Sequence, residues 1–159
     1  MDDSTLTTAE RRLLAELDAR GVRYLIVGMS AALLQGARGS TEDIDLWFED
    51  ATDPRIAAAV RAAGGIWISG SFGMGPPRIG GEELSARFDV VLHMSGLDAF
   101  DLEYTSRRYE EVDGVRLPVL PLARILHSKK CAARPKDLAA APALEVALAL
   151  LERGEPQGD

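Results

Sequence analysis

With one cysteine in 159 residues, Cys131, the sequence has no internal disulfide framework and fits a reducing compartment. Helix packing is the role expected of that thiol. No window approaches about 18 uninterrupted apolar residues. The opening stretch, MDDSTLTTAERRLL, carries acids where a secretory leader has an apolar core, so a soluble, cytoplasmic protein without a membrane span is expected. Basic charge is scarce: a net charge of −7 and a pI near 4.9 argue against a general nucleic-acid coat and leave phosphate recognition to local cation clusters. The glycine-rich stretch 70–83 lacks the Gly-Lys-Ser/Thr ending of a Walker A loop. Nor does any repeat, heptad array or low-complexity linker divide the chain, so one domain over 1–154 with a frayed tail at 155–159 is expected. At 47% apolar it can bury a real core.

What is present alternates between two periodicities. TTAERRLLAELDARG places Leu13, Leu14 and Leu17 on one helical face behind a threonine cap, predicting a helix over 8–20. VRYLIVG reads as a strand ending at Gly28, MSAALLQG as a helix, DIDLWFE as a second strand and DPRIAAAVRAAGG as a helix opened by Pro54. IWIS predicts a third strand. The glycines and prolines of 70–83 predict an irregular, mobile loop, and ARFDVVLHM a strand inside the sheet. YTSRRYEEVDGVRLPVL reads as a hairpin turning at Asp113-Gly114. Helices follow from Pro121 and from Pro135, the second reaching Gly154 past a potential kink at Pro142. Strands interleaved with helices predict an α/β (α+β) domain with a mixed, twisted sheet flanked by helices.

The acids stand out against this background. In a strand, Asp43 and Asp45 share one face with Cα atoms about 6.6 Å apart, and their charges repel unless something positive lies between them. An acidic sheet edge, or a capping box from Ser40 to Asp43, is the plainer alternative. Asp89 interrupts an apolar strand, where it calls for either an arginine partner or a functional site. His93 shares its face. Three carboxylates at one sheet edge would offer Mg²⁺ or Mn²⁺ an all-oxygen site, and KKCAARPK brings four cations within eight residues that can attract a triphosphate or an RNA backbone.

Taken together, YLIVGMSAALLQGARGSTEDIDLWFED, RFDVVLHMSG and GVRLPVLPLARILHSKKCAARPKDLAAAPALEVAL resemble the small bacterial nucleotidyltransferases of the DNA polymerase β-like superfamily, including the abortive-infection-type toxin nucleotidyltransferases. The resemblance spans about residues 22 to 150. It implies a nucleotidyltransferase fold with C-terminal helices, and transfer of an NMP from an NTP to an acceptor hydroxyl with Mg²⁺ and release of pyrophosphate. It also implies that Asp43 and Asp45 are the metal pair and Asp89 the third carboxylate. Gly28 and Ser30 would form the triphosphate turn, and Lys129, Arg134 and Lys136 would line the cleft. The acceptor is open among RNA, protein and small molecules, and the toxin relatives raise a cognate antitoxin as a partner. Two departures are visible: Met29 separates Gly28 from Ser30, and Arg38 is displaced from the T-x-D-I-D-L segment. They support an alternative, a catalytically weak or inactive nucleotide-binding or protein-interaction module of the same fold.

Overall fold

A computed structural model describes residues 6–70, 75–84 and 87–154. The expected tail at 155–159 and the centre of the expected loop, 71–74, lie outside the described residues. Helix α1 (Thr8–Ala19) starts at a capping box: Thr7 Oγ1 accepts the Glu10 N–H, and Glu10 Oε1 accepts the Thr7 N–H. Its buried face carries Leu13, Leu14 and Leu17, as the periodicity predicts. Strand β1 (Tyr24–Val27) is buried at every residue, the pattern of a central strand covered on both faces. It lies between β2 (Ile44–Phe48), antiparallel, and β7 (Val115–Val119), parallel. Strand β5 (Phe88–Val91) adds in parallel outside β2, and β6 (Arg108–Val112) closes the other edge against β7. The resulting mixed sheet has the order β5-β2-β1-β7-β6.

Helix α2 (Gly28–Leu34) packs on β1 and β2, and α3 (Pro54–Ala62) on α1. Helix α5 (Leu122–Ala132) packs on α2 and on α6 (Pro135–Gly154), which passes through Pro142 without ending. Gln35 fastens this corner. Its Nε2 donates to Leu120 O at 2.8 Å and its Oε1 accepts the Leu122 N–H at 3.1 Å, tying the end of α2 to the start of α5. The β6–β7 hairpin turns where predicted, with Asp113 at φ 51° and Gly114 at φ 80°, the two positive values of a type I′ turn.

Several expectations are corrected. The stretch 70–83 is not wholly irregular: Arg78–Gly80 forms β4, which pairs with β3 (Ile66–Ile68) as a separate two-stranded sheet, so the third strand does not join the main one. Glycine is what permits the close approach, since a Cβ at Gly65 would lie 2.8 Å from Gly80 O and 2.6 Å from Leu84 Cδ1. Buried Ile79 anchors the short strand. Strand β5 is an edge rather than an interior strand, which leaves Asp89 exposed. Tyr104 and Thr105, expected in the hairpin, end helix α4 (Phe100–Thr105). That helix docks through Phe100, edge-on to Trp47 at 5.2 Å. Cys131 is exposed, yet its sulfur touches Gly96 closely enough that a Cβ there would collide with it, and it lies 3.6 Å from His127 Nε2.

Candidate active site

Strand register builds one wall of the site. Asp45 is paired with Val27 on one side and with Asp89 on the other, so the end of β1 and two carboxylates from parallel neighbours are aligned across three adjacent strands. Neighbouring strands lie about 4.8 Å apart, which sets the Asp45 to Asp89 backbone spacing. Asp43 precedes β2, and its N–H donates to Thr41 Oγ1 at 3.2 Å. Gly28, at φ +67°, turns the chain from β1 into α2 directly over Asp45, where a Cβ would collide with Asp45 Oδ2. Glycine is required there twice, for conformation and for space.

Ser30 does not join this wall as expected. It is fully buried, its hydroxyl donating to Val27 O at 2.8 Å and accepting the Asp45 N–H at 3.2 Å. Both functions of the hydroxyl are used within the protein, so Ser30 ties the turn to the carboxylate strand. The half-buried Met29 takes the place beside Gly28 in the cavity lining. Ser30, two residues past Gly28 in α2, faces the core.

The opposite wall comes from the junction of α5 and α6. Lys129 lies on α5, Arg134 in the connection and Lys136 in the first turn of α6, and all three line the same cavity of about 650 Å³ as Gly28, Asp43, Asp45 and Asp89. Two of these cations are already paired. Asp137, 1% exposed, accepts Arg134 Nε at 2.6 Å and Nη2 at 3.1 Å, and Lys129 Nζ at 3.4 Å. Lys130, the remaining cation of the run, pairs with Glu145 at 2.7 Å instead. The role of Asp137 was missed from sequence. The signal available for it was the Arg-Pro-Lys-Asp spacing, in which an acid three residues past a helix boundary reaches back to the boundary N–H, as Asp137 Oδ2 does to Arg134 N at 3.2 Å. His93 also lines the cavity, and with Met94 it forms the wall to a neighbouring groove.

Electrostatics mark the acid wall as short of positive charge. Burial pushes Asp45 up to about 6, the charges of Asp89 and Asp43 push the same way, and Lys129 and Lys136 oppose them. Asp89 is raised by burial, by the Asp43 charge and by a hydrogen bond shared with Asp43. All three donors are hard oxygens, the type that Mg²⁺ takes. Among the described residues, however, no three His, Cys, Asp or Glu side chains are gathered as a finished metal centre. The donor set thus fits a hard dication in type.

The mixed sheet, with Asp45 and Asp89 at its β2–β5 edge and helices α5 and α6 lining the same cavity, has the nucleotidyltransferase fold of the solved structures it superposes on. No protein-family model and no curated protein matches the sequence. Solved structures do. The solution structure of the antibiotic-resistance factor ANT(2'')-Ia superposes with a TM-score of 0.60 at 16% identity, over 98% of this chain and 96% of that one. A crystal structure of ANT(2'')-Ia with adenylyl-2''-tobramycin gives 0.56 at 15% identity, covering 93% and 95%. An antigenic nucleotidyltransferase-like protein from Paracoccidioides brasiliensis gives 0.55 at 18%, covering 96% and 91%.

Proposed function

We propose that this protein transfers a nucleoside monophosphate from an NTP to an acceptor hydroxyl, releasing pyrophosphate. The observation that carries this reading is one cavity with Asp45 and Asp89 in register beside the Gly28 turn and Lys129, Arg134 and Lys136 across from them. Asp43, Asp45 and Asp89 would hold Mg²⁺ or Mn²⁺. When bound, such ions neutralise the charge that develops on the phosphoryl oxygens and on the departing pyrophosphate. The chain's own groups do the rest. Lys129, Arg134 and Lys136 grip the β- and γ-phosphates and orient the α-phosphorus toward the acid wall. Asp89, exposed at the sheet edge, takes the proton of the acceptor hydroxyl as its oxygen bonds to the α-phosphorus and the bond to the bridging α,β-oxygen breaks.

A small polar molecule is the acceptor we favour over RNA or protein. The net charge of −7 opposes a long nucleic acid, and one structural neighbour was captured with adenylylated tobramycin. Mass-resolved transfer from each of the four NTPs, with Mg²⁺ or Mn²⁺, onto aminoglycoside and lincosamide panels, bulk tRNA and lysate protein tests this. Product on the small-molecule panel is expected, and no product on any acceptor would refute the enzymatic reading. Withdrawal of Ser30 from the cavity and the bulk of Met29 at the turn favour a second reading, a domain of this fold that binds nucleotide without turnover. It is distinguished by NTP binding in the absence of transfer. Among the described residues no helix is long and apolar enough to cross a membrane. A cytoplasmic site of action is proposed from the single cysteine and the acidic opening stretch, and a cognate antitoxin from the sequence resemblance.

A further inference from the structure

Asp137 is the acid in the cavity that the reaction does not use. Its neighbours on the acid wall are exposed or half-buried, whereas Asp137 is 1% exposed and both its oxygens are occupied. Arg134 Nε and the Arg134 backbone N–H meet one oxygen, and Arg134 Nη2 and Lys129 Nζ meet the other. The Arg134 side chain is 60% exposed and lines the cavity, with N–H groups beyond those that meet Asp137. A left-handed residue, Ala133 at φ 55°, produces the sharp turn that brings Lys129 at the end of α5 and Arg134 ahead of α6 onto one carboxylate.

A buried carboxylate beneath two cations has an evident use next to a polyanion. Long, flexible Lys and Arg side chains lose rotamer freedom when they grip phosphate, and a partner that already holds them lowers that cost. We propose that Asp137 is a positioning residue for the polyphosphate. It anchors Lys129, whose charge acts on Asp45, and Arg134 at the cavity wall, while Lys136, which has no ion pair among the described residues, acts as an unanchored charge. This inference rests on the reading that the cavity binds an NTP. The opposite role is physically distinct: an Asp137 that competed with phosphate for Arg134 would weaken binding, and its removal would strengthen it.

The test is calorimetric titration of the full chain with MgATP and, separately, with inorganic tripolyphosphate. Asp137→Asn keeps an oxygen for the Arg134 N–H and removes the charge. It is expected to weaken both ligands about tenfold with little change in melting temperature. In an Arg134→Gln background the same change should cost less than about threefold, because an effect exerted through Arg134 is not additive with its loss, whereas a general structural effect is. Asp137→Ser, which still offers an oxygen to the backbone, serves the same purpose should the Asn variant fail to fold. Unchanged or tighter binding in these variants, or full additivity with Arg134→Gln, overturns the positioning role and leaves the functional reading standing. A wild-type protein that binds neither MgATP nor tripolyphosphate overturns both.

Discussion

The two walls of the cavity reach opposite charge by different means. On the acid side, Asp45 and Asp89 hold their places through the backbone ladders of β1, β2 and β5, and like charges are brought together against their own repulsion. On the basic side, helices that meet at a tight turn carry cations held by a buried carboxylate, and opposite charges are matched before any ligand arrives. A repelling pair that the main chain enforces is a demand for a cation, whereas a satisfied pair is an arrangement for meeting an anion. The first should gain stability when a charge is removed, and the second should lose function.

Substitutions can break this contrast on either side. The largest effect is expected from Asp45→Asn, which should lower the transfer rate by about 10²-fold or more, a transition-state penalty of about 3 kcal/mol, as measured in single-turnover assays with Mg²⁺. Gly28→Ala comes next. A side chain at φ +67° facing the Asp45 carboxylate should cost about 2 kcal/mol in chemical denaturation and displace that carboxylate, so that, on the proposed function, stability and activity fall together.

pH sharpens the same contrast. Asp45 has its folded-state value raised to about 6 from an ordinary 3.8, so the folded protein binds this proton more tightly than the unfolded chain does. The stabilising contribution is therefore complete below about 4 and is lost as pH rises through about 6. In divalent-free buffer, denaturant midpoints should indicate a contribution from this group on the order of 2 kcal/mol in favour of pH 4 over pH 7, absent in Asp45→Asn. The smallest effect lies at the turn of the basic wall. Ala133→Gly relieves a left-handed alanine and should stabilise the fold by about 1 kcal/mol in thermal melts, with binding unaltered if Asp137 rather than the turn orders the cations.

Local signals made much of this molecule legible from sequence. A threonine cap and leucine spacing located α1, and Asp113-Gly114 specified its own turn, whereas parity paired Asp43 with Asp45 and only the family resemblance brought Asp89 to them, in a sheet where Asp43 precedes β2 and Asp89 lies in register with Asp45. What escaped depends on partners distant in the chain. The edge position of β5 is a property of strand order, which no local pattern records, and it decides that Asp89 is exposed. Strand β4 was hidden because its three residues sit among glycines whose purpose, backbone approach to β3, reads locally as punctuation. Ser30 and Asp137 were misjudged or missed for one reason: each has its hydrogen-bonding capacity filled inside the protein, by Val27 and Asp45 in one case and by Lys129 and Arg134 in the other. Such satisfaction is visible only once the chain is folded.

The claim that the acid wall is made for a cation is tested most directly by melting wild type and Asp45→Asn side by side at pH 7, each with a divalent chelator and with excess Mg²⁺. The expected result is that Asp45→Asn melts at or above wild type in chelator, because repulsion within the carboxylate group is relieved, and that Mg²⁺ raises the wild-type midpoint well above any shift in the variant. A large drop for Asp45→Asn in chelator, or equal responses of the two proteins to Mg²⁺, would contradict it and make Asp45 a structural residue of the sheet.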